Sequence, residues 1–180
     1  MTARTVPTMP AFLAGQKLTA ALLNQVGSYS TFWVNPPMFR IYQSVAQSIP
    51  NTTDTQITCD GLDYDTDSGH QGSTPYSYVI PSGMGGRWRF TWAVAMAINS
   101  TGSRAGYIKV NNLRIFAPET VGAAANNDVS QSFWTNTILV NAGDVISLWI
   151  WQNSGGALST LATANNVSVL EGELVSLANP

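Results

Sequence analysis

The chain has 180 residues, 44% of them hydrophobic and only 10% charged, with a net charge of −2. Soluble domains carry about 25% charged residues, and nucleic-acid binding needs a basic footprint that the scattered Lys and Arg here do not make. A lone cysteine, Cys59, rules out an intrachain disulfide, and no apolar run reaches the roughly 18 residues that span a bilayer.

What remains is one sizeable domain with a small appendage. Its surface should be polar but uncharged, covered in an assembly, or both. No signal peptide, no nucleic-acid partner and no membrane are expected.

Residues 1–10, with Pro7 and Pro10 among small polar neighbours, read as an extended arm. Thr19 is placed to cap a short helix and Gly27 to stop it. Leu18, Leu22 and Val26 fall on one helical face with Leu23 beside them. So short a helix is marginal alone and must dock, either on its own domain or on a partner. Asn35-Pro36-Pro37 then forces extended backbone.

From Met38 onward the text is β. Strands are expected at Met38–Gln43, Thr55–Cys59 and Tyr76–Ile80, with an acidic segment from Asp60 to Thr74 before the third. The Gly-rich stretch after Pro81 turns into the most regular strand of the chain, Arg87–Ile98. There Trp88, Phe90, Trp92, Val94, Met96 and Ile98 alternate with small or polar residues, so the bulky groups share one face, the core.

Asn99–Gly102 has the chemistry of a hairpin turn leading to Tyr107–Val110, and Asn111-Asn112 turns again into Leu113–Phe116. Val121–Asp128 reads as a loop. Phe133–Val140 reads as a strand that returns, through Asn141–Asp144, in Val145–Gln152, which is apolar on both faces. Val167–Leu177 closes the chain. Many short strands with regular turns imply a sandwich or jelly roll.

Few residues invite chemistry. Asp63, Asp65 and Asp67, with Gly69 after them, alternate like calcium ligands, but the glycine is one place late and Thr74 stands where a bidentate Glu belongs. A solvated turn is the preferred reading, and no metal and no cofactor are expected. His70 is the only histidine and has no nucleophile elbow to serve. Glu171 and Glu173 share a strand face, more simply as its solvent side than as a glycosidase pair. No catalytic residue is assigned and no enzyme is expected. Cys59 reads as a small buried apolar residue.

Of six tryptophans, Trp88 and Trp92 are core by periodicity, whereas Trp33, Trp134, Trp149 and Trp151 cannot all share one interior. Aromatic residues are favoured at interface hot spots, and exposed ones also stack on sugars.

Three segments in order resemble the globular-head jelly roll of the complement and tumour-necrosis-factor superfamily. These are Ile80-Pro81 with Trp88-Arg-Phe90-Thr-Trp92, then Ile108-Lys-Val-Asn111-Asn112, then Ile138-Leu-Val-Asn-Ala-Gly143-Asp144-Val145-Ile146. Asn112 departs from the glycine common there. The resemblance covers roughly residues 38–177 and implies a homotrimer packed through apolar strand faces, for which Trp149 and Trp151 are the expected contacts.

The opening stretch, Pro10 to Asn24 with Gly15-Gln-Lys-Leu18-Thr19-Ala20, resembles the start of virion proteins of actinobacterial phages, and Tyr64–His70 is similar to a loop of their jelly rolls. Together these imply an all-β, antiparallel jelly-roll domain at 38–180 behind an anchoring arm and helix at 1–37. The implied protein is a trimeric capsid decoration or minor capsid protein on the head surface of a virion. Phe12, Leu18, Leu22, Leu23 and Val26 would hold it to the major capsid protein or another virion protein. The alternative is a minor tail or receptor-binding protein that recognises host-surface glycan through Asp60–Thr74 or Val121–Asp128.

Overall fold

A computed structural model describes residues 4–114, 119–124, 129–163 and 166–178. Among these, one helix precedes two facing antiparallel sheets and two small two-stranded ribbons. The six-stranded sheet runs in the order Val129–Trp134, Gly86–Met96, Val169–Leu177, Met38–Tyr42, Gly61–Asp65, with Ile138–Val140 also paired to Gly86–Met96. The seven-stranded sheet runs Glu119–Ala124, Asn99–Val110, Val145–Gln152, Ser77–Val79, His70–Gln71. Thr55–Gln56 joins Val145–Gln152 there, and Leu113–Arg114 joins Asn99–Val110.

Successive long strands change sheet, which makes this a jelly roll and not a set of hairpins. Gly86–Met96 lies in one sheet and Asn99–Val110 in the other. The expected hairpin turn at Asn99–Gly102 is therefore a crossing, and those residues already belong to the next strand. The strand before the crossing ends at Met96, which leaves Ile98 52% exposed instead of in the core.

The same correction applies further on. Phe133–Val140 is two strands, Val129–Trp134 and Ile138–Val140. Both pair with Gly86–Met96, and Val145–Gln152 pairs instead with Asn99–Val110 across the sandwich. At the break, Thr135 takes a hydrogen bond from the Phe90 amide at 3.0 Å and gives its own to the Phe90 carbonyl at 2.8 Å. Residues 121–124, expected in a loop, lie in Glu119–Ala124, while 125–128 of that loop and the end of the expected strand Leu113–Phe116 lie outside the described residues. The last strand is Val169–Leu177, after a ribbon in which Asn166–Val167 pairs with Ala162–Thr163.

The alternation in Gly86–Met96 places Trp88, Phe90, Trp92, Val94 and Met96 in the core, as its period of two requires. Phe39 stacks on Tyr78 from the opposite sheet at 3.6 Å between ring centroids, and Trp88 stacks on Phe90. Each such side chain, fully buried, is worth about 1.5–3 kcal/mol. The indole N–H of Trp88 is satisfied by the Met84 carbonyl at 2.9 Å. Gln131 reaches from one sheet to the other, donating to the Arg104 carbonyl and accepting from the Gly106 amide.

The helix spans Ala20–Val34, capped at Thr19, whose hydroxyl accepts from the Leu22 amide. It does not stop at Gly27, because that residue keeps helical backbone and the ladder continues to Asn35, whose amide bonds the Thr31 carbonyl at 3.2 Å. Its last turn is held by Phe32, the one fully buried residue of the fifteen. Pro36 and Pro37 then end it. The helix is not long and apolar enough to cross a membrane.

Candidate functional site

The N-terminal segment folds back on itself into a hairpin of arm and helix. At its foot Arg4 joins three parts of the chain. Its backbone N–H, Nε and one terminal nitrogen donate to the Asp67 carboxylate at 3.0, 2.9 and 2.8 Å. Its other terminal nitrogen donates to the Asn35 carbonyl at 2.7 Å, just past the helix, and the guanidinium lies 5.4 Å from the Phe32 ring centre. Val6 packs against the core.

From there the arm runs beside the helix. Arg4, Thr5 and Pro7 share a groove with Asn24, Gly27, Ser28 and Thr31. The chain turns at Leu13–Gln16, where the Gln16 amide bonds the Leu13 carbonyl and the Gln16 side chain accepts from the Leu13 amide, both at 3.0 Å. Gly15 supplies the positive φ of 76° that this turn needs. Thr19 then starts the helix, which spans about 22 Å at 1.5 Å per residue.

The proposed anchoring residues divide between two settings. Phe12, Leu18 and Leu23 are each more than half exposed, whereas Leu22 and Val26 are half-buried. Met9 is exposed to the same degree and Leu13 more so, and neither is expected from the sequence as an anchoring residue, nor is Arg4. Nothing local signals that Arg4 pairs with a residue 63 positions away.

The three aspartates considered for calcium serve separate partners. Asp63 pairs with Arg40 at 3.1 Å. Asp65 accepts from the amides of Asp67 and His70 at 3.0 and 2.9 Å, which shapes the loop. Asp67 is buried and serves Arg4, and Thr66 also donates to it at 2.6 Å. Burial would raise its pKa, but the hydrogen bonds from Arg4 and Thr66 outweigh that and hold the carboxyl below its ordinary range. Among the described residues no group of three or more His, Cys, Asp and Glu side chains could hold a metal ion.

The other titratable candidates are tied into structure as well. His70 Nε2 lies 2.9 Å from the Cys59 carbonyl. Burial, with Asp60 nearby, pushes the Cys59 thiol up to about 12. Glu171 pairs with Arg40, and Glu173 with Arg89.

Trp149 and Trp151 lie on the outer face of the seven-stranded sheet, both half-buried. Lys109 sits 3.6 Å over the Trp149 ring, and the Trp149 indole N–H donates to Ser147 at 2.8 Å. Trp33 packs against the core. Trp134 is 68% exposed and stacks on Phe133 with ring centres 6.0 Å apart.

No family model and no curated protein matches the sequence. Solved structures do. The globular domain of zebrafish complement 1qA superposes with a TM-score of 0.52 at 12% identity, over 79% of this chain and 99% of that one. Eiger TNF from S. frugiperda gives 0.51 at 11%, over 80% and 96%. Murine APRIL gives 0.56 at 9%, over 78% and 100%. At such identities the likeness is one of fold: the chain is a jelly-roll sandwich of the complement and tumour-necrosis-factor type.

Proposed function

We propose that this chain is a non-enzymatic structural protein of a bacteriophage virion. It would form a homotrimer displayed on the head surface and anchored by its N-terminal arm and helix. The observation that carries this reading is the latched hairpin. Only the last turn of the helix joins the sandwich core, through Phe32 with Trp33 and Val6 beside it, so most of the helix and of the arm latched by Arg4 and Asp67 adds nothing to that core. Such a segment serves something outside the domain. The resemblance of residues 10–24 to phage virion proteins supplies the kind of assembly, and the scarcity of charge fits a surface largely covered there.

Trp149 and Trp151 remain the proposed trimer contacts. With Lys109 already over the Trp149 ring, Trp151 is the better placed of the two to meet another subunit. Localising labelled protein in images of intact particles tests the reading. Signal over the head at repeated symmetry positions supports it. Deletion of residues 1–30, which keeps Phe32 and Trp33, made together with Asp67→Asn so that no unpaired charge is left buried, should then release the protein with its trimer intact. Signal confined to the tail sinks it.

A second reading, a tail protein that binds host-surface glycan, is favoured by one observation. The exposed, stacked rings of Phe133 and Trp134 offer a flat aromatic surface of the kind that sugar rings stack on.

A further inference from the structure

We propose that the contact surface of the anchor is the tip of the hairpin and not the face of its helix, and that the tip inserts into an apolar socket on a partner protein whose rim carries carboxylates. This rests on the virion reading above and names the chemistry of the partner. At the tip, Met9 is 56%, Phe12 54%, Leu13 73% and Leu18 59% exposed, a concentration of large apolar side chains around one tight turn. On the helix face beyond it, Leu22 and Val26 are already half-buried within this chain, which leaves Leu23, 55% exposed, without a large apolar neighbour free on that face.

The tip is preorganised. The Leu13–Gln16 turn closes it with two hydrogen bonds, Thr19 caps the helix behind it, and the Arg4–Asp67 pair fixes its foot. Little ordering is therefore left to oppose binding.

Charge selects the partner. Lys17 is the only charged residue between Arg4 and Arg40, and it is exposed within the apolar cluster. A lone cation in an apolar contact fits an acidic rim. A membrane-surface element would carry several Lys or Arg. Tips of identical subunits packed on one another would set Lys17 against Lys17.

The test uses the full chain with Phe12→Asp plus Leu13→Asp, with Lys17→Glu, and with residues 1–30 deleted together with Asp67→Asn, which keeps Phe32 in the core and leaves no buried charge unpaired. The readouts are occupancy on particles, mass in solution, and binding to phosphatidylglycerol–phosphatidylcholine vesicles. The proposal expects the double Asp variant to keep its mass and lose occupancy by at least about tenfold, the effect of one large side chain left unburied. It expects Lys17→Glu to weaken occupancy and to reverse its salt dependence, since salt then screens a repulsion. Normal occupancy of the double variant, with loss only on deletion, overturns the tip and leaves the virion reading standing. Normal occupancy of the deletion variant overturns both the tip and the anchoring role. Tip-dependent binding to vesicles, or a drop in mass of the double variant, overturns the socket in favour of a membrane or of a second copy.

Discussion

Arg4 and Asp67 form a bidentate pair, reinforced by the Arg4 backbone amide, in which the carboxylate is fully buried and the guanidinium is 31% exposed. The pair is the polar link between the N-terminal hairpin and the sandwich, beside the packing of Phe32, Trp33 and Val6. Removing one partner of such a pair leaves the other uncompensated. Arg4→Ala should therefore cost about 3 kcal/mol and raise hydrogen exchange through residues 20–35 more than through the sheets. Exchange that rises equally everywhere would show that the pair supports the whole fold and not the hairpin.

The same pair makes a pH prediction. The folded-state value of Asp67 lies below its ordinary one, so its contribution is complete above the ordinary aspartate value of about 3.9 and is lost as pH falls through the lower folded value. The hairpin should thus stay docked at mildly acidic pH and loosen only in strong acid. Asp67→Asn should abolish this acid step, which exchange measured over residues 20–35 across pH would reveal.

Gly106 has no room for a side chain, because a Cβ there would run into the indole of Trp92. Trp92 is itself held between the sheets, so it has little space to give. Gly106→Ala should destabilise by about 1–3 kcal/mol, read by urea denaturation, with a shift in tryptophan fluorescence in the folded state.

Asn112 departs from the glycine of the family pattern, yet it adopts φ of 65°, as glycine would. Asparagine tolerates this region far better than branched residues do. Asn112→Gly should be close to neutral and Asn112→Val should cost about 1–3 kcal/mol in thermal unfolding. Equal stability of the two variants would mean that the turn re-forms without a left-handed residue.

Such turns show what the sequence could and could not say. The core face of Gly86–Met96 is written in its period of two, and the Thr19 cap in a single residue. Turn chemistry at Asn141–Asp144 marks where the chain leaves one strand for the next, whereas at Asn99–Gly102 it falls inside the strand Asn99–Val110, just after the break. It says nothing about whether the next strand pairs beside the last or crosses to the other sheet, because that choice is made by distant partners. The anchoring site is legible in the same uneven way. Exposed leucines near a cap are visible, while Arg4, matched to a carboxylate beyond the helix and four strands, is not.

Lys109 and Trp149 give the last prediction. A cation 3.6 Å over an indole face excludes another group from that face. If the trimer forms through this sheet, Trp151→Asp should reduce the mass seen by analytical ultracentrifugation to that of a monomer, because it places an unpaired charge in an apolar contact. Trp149→Phe should weaken the trimer less, because Lys109 already covers one face of that ring. Lys109→Met should uncover the indole and shift its emission without changing the mass. A trimer that survives Trp151→Asp would move the interface away from this face. The exposed faces of the six-stranded sheet, around Tyr64 and Trp134, would then be the place to look.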